Sequence, residues 1–310
     1  MSGKRHILNI ESANQAARSP VLSGAFTLVE LLTVLAIIGI LAAISVPAIK
    51  NFGKSDVSVS ASRQLLDDIG RARQLAMSQR TTVYMVFVPT NFFNLAGGST
   101  IFQSPSSILK TLQQWNTASN VLGMQLAGYT FMAYGALGDQ PGNHQWHYLA
   151  SSWQALPAGA YIAPWKFYNQ FNPGKSFNFS DPVNAGAWFS VNSFTYTNTF
   201  PFPTEDATNG VYLPYIAFNY LGQLCNYSGQ LLLNANQGQD FDQDYAGGGV
   251  DIPIAQGSVL YYRDLTSHAL QVGSPQVTEM PPGNSTNLAY NVVHVDPLTG
   301  RATLEYHKIQ

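Results

Sequence analysis

The sequence predicts an α+β fold, with one long N-terminal helix packed on the antiparallel β-sheet of a C-terminal domain. Three observations carry this. Residues 26–49 form an apolar run of 24 residues in which Glu30 is the one ionisable side chain. Apolar residues then recur at helical spacing across residues 57–79. Beyond residue 80 the chain breaks into short β-branched and aromatic runs punctuated by Pro, Gly and Asn.

At about 1.5 Å per residue the first run covers roughly 36 Å as a helix, against a hydrocarbon core about 30 Å thick, and so reads as a transmembrane helix. A carboxylate at mid-membrane costs about 2.5–3.5 kcal/mol on insertion scales. Nothing else in the run offers Glu30 a partner, so a positive charge on another copy of the chain is expected to supply one. Two plainer readings stand beside this one. The run could be a secretory signal cut near Val46-Pro47-Ala48, or a simple signal anchor. It exceeds the about 7–15 apolar residues usual in a cleaved signal.

The order Phe26-Thr27-Leu28-Val29-Glu30, behind a modestly basic leader, resembles the N-terminal signature of type IV pilins and type II secretion pseudopilins. Pro47, the 22nd residue counting from Phe26, stands where that family bends its helix. Residues 64–87 are similar to the helix-to-strand passage of minor pseudopilins of the GspH/FimT kind, as is a closing strand pair around Thr299-Gly300-Arg301. The resemblance implies a leader, residues 1–25, removed by a prepilin peptidase after Ala25, or after Gly24. It implies N-methylation of the new terminus at Phe26 and assembly through Glu30, which would face the amine of a neighbouring subunit. The departure from the family is Ala25, where Gly is usual.

After Pro47 the helix is expected to continue through residues 51–80 as an amphipathic segment. Leu65, Ile69, Ala72 and Ala76 form its apolar stripe, Leu66 and Leu75 widen it, and Asp67 with Arg71 makes an i,i+4 pair on the other side. Strands are expected at 81–88, 129–134 and 258–263, and from Tyr161 and Ile162 after a packed turn at 153–157. A short helix is expected at 107–114, with Ile108, Leu109 and Leu112 on the core. Hairpins are expected around Leu221-Gly222 and around residues 296–300. The domain thus runs over 81–310, with a long insertion near 166–210 rich in Asn, Phe, Thr and Pro, where partner specificity is expected.

The chain of 310 residues has 15 basic and 17 acidic side chains, a net of −2 that argues against nucleic acid as a partner. The one cysteine, Cys225, excludes an intrachain disulfide and reads as a buried small hydrophobe. Asp240, Asp242 and Asp244, with Asp251 twelfth in the run, have the carboxylate spacing of a calcium loop. The loop's glycine is replaced by Tyr245 and its last glutamate by Asp, so a solvated loop is the better reading and no cofactor is expected. His144 and His147 flank Trp146 without a third ligand nearby, and zinc needs three or four. No nucleophile elbow, phosphate loop or Cys-x-x-Cys pair is present.

These readings converge on a non-enzymatic structural subunit of a pilus-like filament or secretion pseudopilus. Its expected partners are other subunits, the prepilin peptidase and the inner membrane. Its expected placement is single-pass with the N-terminus cytoplasmic, then in a periplasmic pseudopilus or surface filament. The rivals are a membrane-anchored extracytoplasmic enzyme and a filament-displayed adhesin or binding module.

Overall fold

A computed structural model describes residues 27–95, 98–103, 110–140, 142–150, 152–167, 176–180, 188–192, 194, 198–207, 210–231, 248–285 and 290–307. The chain divides into two compact units, Met1–Lys50 and Asn51–Gln310.

Helix α1 spans Leu28–Gln79. It starts at Thr27 through a reciprocal cap. The Glu30 backbone N–H donates to Thr27 Oγ1 at 3.2 Å, while Thr27 N–H and hydroxyl both donate to Glu30 Oε2 at 2.9 Å. This is the Thr-x-x-Glu capping box, which satisfies donors that a helix start leaves open. The Thr27 groups hold the Glu30 carboxyl below the usual range. The expectation that nothing within the run could serve Glu30 overlooked this local partner.

Side chains of α1 are described for residues 28–41 and 57–79. The first group is apolar and exposed, with Leu28 at 79% and Leu35 at 60%. Among the described residues no helix is long and apolar enough to cross a membrane. The transmembrane helix expected over residues 26–49 is therefore corrected. So are the pilin-like fold class defined by it and the single-pass inner-membrane placement. The second group belongs to the larger unit. There Ala61, Leu65, Ile69, Ala72 and Ala76 are fully buried, with Leu66 and Leu75 packed at the margin.

The strands are β1 (Val83–Phe87), β2 (Gly128–Tyr134), β3 (Trp146–Tyr148), β4 (Gln154–Ala155), β5 (Ala160–Ile162), β6 (Ser176–Ser180), β7 (Trp188–Asn192) and β8 (Thr199–Pro201). They continue as β9 (Gly210–Tyr212), β10 (Tyr215–Phe218), β11 (Leu224–Cys225), β12 (Val250–Leu260), β13 (Gln276–Glu279), β14 (Tyr290–Val295) and β15 (Ala302–His307). A second difference from the expected single sheet follows from their pairing. One sheet has the order β11-β10-β1-β2-β3 with β4 also on β2, and a second has β13-β12-β14-β15 with β5 on β12. The pairs β6–β7 and β8–β9 stand as separate two-stranded sheets. Every described pairing is antiparallel.

Alternation along β1 and β2 gives the first sheet two buried faces. Tyr129 and Phe131 meet α1: the Tyr129 hydroxyl donates to Asp68, Gln64 Nε2 donates to that hydroxyl at 2.7 Å, and the Arg71 guanidinium lies 5.7 Å from the Phe131 ring centroid. Tyr84, on the opposite face, packs with Trp146, Phe200, Tyr215 and Tyr227 at centroid distances of 5.4–5.8 Å. The hairpin β8–β9, carrying Phe200, covers that aromatic layer. Burial pushes the Cys225 thiol up to about 12, as suits a small core side chain.

Short helices α2 (Gly98–Gln103) and α3 (Leu112–Val121) lie between β1 and β2. The helix expected at 107–114 begins later, because Thr111 is extended and its side chain accepts from Gln114 N–H, fixing Leu112 as the first turn. Leu112 is 75% exposed rather than on the core, and Ile108 and Leu109 lie outside the described residues.

Leu65→Ala is expected to lower the unfolding free energy by about 2–5 kcal/mol. Leu31→Ala, on an exposed side chain, should stay within about 0.5 kcal/mol. Urea denaturation of the two variants checks this; equal losses would contradict the packing described.

Candidate functional site

A cleft of about 550 Å³ opens between α3, the β3–β4 segment and the turn that follows β8. That volume lies within the range of small-molecule sites, about 300–1,000 Å³. Three strands of sequence far apart in number build it. Helix α3 contributes Gln113, Gln114, Thr117 and Asn120; the β3–β4 segment contributes Tyr148, Ser152 and Trp153; the turn contributes Thr204, Glu205 and Asp206.

Hydrogen bonds fix the walls to one another. Gln114 is buried; its Oε1 accepts from Lys110 N–H at 2.7 Å and its Nε2 donates to Thr204 Oγ1 at 3.3 Å. Tyr148 N–H donates to Glu205 Oε2 at 3.1 Å, and its hydroxyl donates to the Pro201 carbonyl at 2.7 Å. The floor is Trp153, whose ring meets Tyr148 edge-on at 6.3 Å and Phe202 at 5.8 Å. Burial, with the charge of Glu205 adding to it, raises the Tyr148 hydroxyl, which stays a donor at neutral pH. The Thr204 hydroxyl, against desolvation and with Gln114 and Lys110 assisting, holds Asp206 below the usual carboxylate range, so it stays an anionic acceptor.

Two features decide what the cleft can do. Among the described residues it is lined by two acids and by no Lys or Arg, the charge of Lys110 acting on Asp206 from outside the lining. Among the described residues, the side chains of Gln113, Thr117, Asn120 and Ser152 line it without an internal hydrogen bond. It therefore offers amide and hydroxyl donors and acceptors over an aromatic floor, a surface suited to a neutral, hydroxyl-rich molecule.

No family model, curated protein or solved structure matches the chain. The resemblance to pilins and pseudopilins gains no support from these comparisons. With no helix among the described residues able to cross a membrane, the filament or pseudopilus subunit function is corrected along with the anchor that was to carry it.

The residues singled out from the sequence lie elsewhere. Gly24, Ala25 and Phe26 fall outside the described residues, as do Asp240, Asp242 and Asp244. Pro47 lies within the span of α1. Asp251 stands in β12, fully buried, with its Oδ1 2.7 Å from His294 Nδ1 across the β12–β14 pair. His147 Nε2 lies 3.1 Å from Asp139 Oδ1, and His144 packs 6.1 Å from the Tyr134 ring, so the two histidines have separate partners. Among the described residues no three His, Cys, Asp or Glu side chains group as metal ligands.

Sequence reasoning missed every cleft residue. Two signals were present: Thr111-x-x-Gln114 as a helix start, and adjacent Glu205 and Asp206 in a charge-poor stretch.

Thr204→Ala should move the Asp206 pKa up toward its ordinary value, readable by NMR titration of the side-chain carboxyl; an unchanged value would mean that the hydroxyl does not hold it. The His294 ring gives a second check. Burial opposes its charged form, yet the hydrogen bond and charge of Asp251, with Glu305 and Asp296, raise its pKa above 6.5. A raised folded-state value contributes stability that is complete below the unfolded value and lost as pH rises through the folded one. Unfolding free energy should thus fall as pH climbs from about 6.5 through the raised value. Asp251→Asn should flatten that slope in urea titrations across pH, and an unchanged slope would contradict the pairing.

Proposed function

We propose that the larger unit is a binding module for a neutral carbohydrate, held in the cleft between α3 and the turn after β8. The observation that carries this is the lining: among the described residues, four unengaged amide and hydroxyl side chains, two acids and an aromatic floor, with no Lys or Arg. Vicinal sugar hydroxyls both donate and accept, matching Gln and Asn amides, while carboxylates accept from hydroxyls in charge-assisted bonds. Beneath the polar groups, half-buried Tyr148 and the buried Trp153 give the cleft an apolar base for the C–H groups of a sugar ring. Anionic ligands, phosphates included, meet the carboxyls of Glu205 and Asp206 in the cleft lining.

The reading is of binding without turnover. Glu205 accepts from the Tyr148 backbone N–H and Asp206 from the Thr204 hydroxyl, which places both as hydrogen-bond acceptors in the cleft wall.

Titration of the full chain with neutral disaccharides (cellobiose, maltose, chitobiose), followed by tryptophan fluorescence, should show saturable binding of at least one through Trp153. Thr117→Ala combined with Asn120→Ala should weaken it about tenfold, the equivalent of about 1.4 kcal/mol. Tighter binding of digalacturonate than of every neutral sugar would contradict the proposal.

A further inference from the structure

We propose that two copies of the chain pair through strand β15, edge to edge and antiparallel, in a two-fold register centred on Thr303. The inference is independent of the carbohydrate reading, since no residue lining the cleft takes part.

The order of the second sheet leaves β15 at its margin. Asp296 N–H donates to the Arg301 carbonyl at 2.9 Å where the β14–β15 ladder begins. Alternation along an antiparallel strand then turns the N–H and carbonyl groups of Thr303 and Glu305 toward β14, and those of Ala302 and Leu304 outward. Among the described residues none bonds to the outward groups. Such a row of unpaired backbone groups is a template for another strand. The other margins of the two main sheets are blunted. Strands β3 and β5 have three residues each, and β4 and β11 two. Strand β13 has four, enclosed by Pro275 and Pro281. Strand β15 has six, with neither Pro nor Gly among them.

The side chains of this edge are complementary to themselves. Arg301 and Thr303 are exposed and Glu305 is half-buried, all three on one face of the strand. Arg301 and Glu305 stand about 14 Å apart at about 3.4 Å per residue, beyond the reach of a direct pair within one chain. An antiparallel second copy centred on Thr303 reverses their order. Arg301 of each copy then stands opposite Glu305 of the other, and Thr303 faces Thr303. These are the closer, non-hydrogen-bonded pairs of the new ladder, where opposite charges and Thr–Thr pairs are favourable. Ala302 and Leu304, half-buried on the other face and packed at the margin of the core, exchange backbone hydrogen bonds with Leu304 and Ala302 of the second copy. Neighbouring registers are worse. Centred on Leu304, Glu305 meets Thr303; centred on Glu305, two carboxylates face each other, which is destabilising. The charge pattern therefore selects a second copy of this chain over an arbitrary strand. A few backbone hydrogen bonds and a symmetric set of ion pairs make a small interface, so the association is weak and concentration-dependent.

Sedimentation equilibrium of the full chain over rising concentration tests this, and the unaltered chain should show a reversible monomer–dimer equilibrium. Arg301→Glu and Glu305→Arg, each alone, set like charges opposite one another and should weaken pairing about tenfold. Mixing the two variants in equal amounts should restore it, because every altered charge then meets its complement. Ala302→Pro removes only an outward N–H, keeps the β14 ladder and should weaken pairing in the same way. Association unmoved by the single charge variants, or not recovered in their mixture, overturns pairing through β15 and assigns the contact to another surface. A chain that stays monomeric at every concentration overturns it as well. Sugar affinity should be the same in all of these variants, so either result leaves the cleft reading to its own test.

Discussion

Burial of the Ala61, Leu65, Ile69, Ala72 and Ala76 stripe against the first sheet is the contact on which the rest of the larger unit depends. Leu65 and Ile69 supply the bulk of the stripe, with Ala61 before them and Ala72 and Ala76 after. Polar side chains beside the stripe then fix its position. The Tyr129 hydroxyl takes Asp68 and Gln64 on one side, and Arg73 Nε donates to the Thr299 carbonyl at 2.6 Å and the Gly222 carbonyl at 3.3 Å. Arg73 therefore ties the helix to turns belonging to both main sheets. Gly300 allows those turns to meet: at φ +61, a Cβ there would lie 2.0 Å from the Gly222 carbonyl oxygen.

With one face of the first sheet committed to α1, the other carries the aromatic layer, and that layer sets the cleft. Tyr84, Trp146, Phe200 and Tyr215 hold the hairpin β8–β9 over the sheet. The turn after β8 is thereby fixed opposite α3, where Gln114 bonds Thr204. Glu205 and Asp206 stand in solvent because their backbone is anchored by Phe202 and Pro203 beneath. Glu205 and Asp206 thus stand on a turn anchored by buried residues, while Gln113, Thr117 and Asn120 stand on α3 opposite.

How much of this the sequence showed varies with the range of the interaction. The stripe of α1, the hairpin at Leu221-Gly222 and the closing pair β14–β15 are local patterns, and periodicity or turn residues reveal them. Strand β12 begins at Val250, earlier than the expected 258: Pro253 argues locally against a strand, yet pairing with β5 and β14 holds the segment extended. Lys166 read as part of a polar insertion, yet it is fully buried with its ammonium 5.0 Å from the Phe194 ring centroid. Nothing local signals that contact. The cleft joins residues 111–124, 148–153 and 203–206, and no motif links stretches that only the fold brings together. Glu30 misled in the opposite sense. The structure shows a local role for it, a helix cap shared with Thr27.

The central claim is that a neutral sugar occupies the space between α3 and the turn after β8. Amide hydrogen exchange of the full chain, read by mass spectrometry with and without a saturating neutral oligosaccharide, addresses it directly. The account predicts slowed exchange confined to peptides covering α3, the β3–β4 segment and residues 203–206, with β12–β15 unchanged. Protection centred on the second sheet, or no protection of α3 under conditions where the sugar is bound, would contradict it.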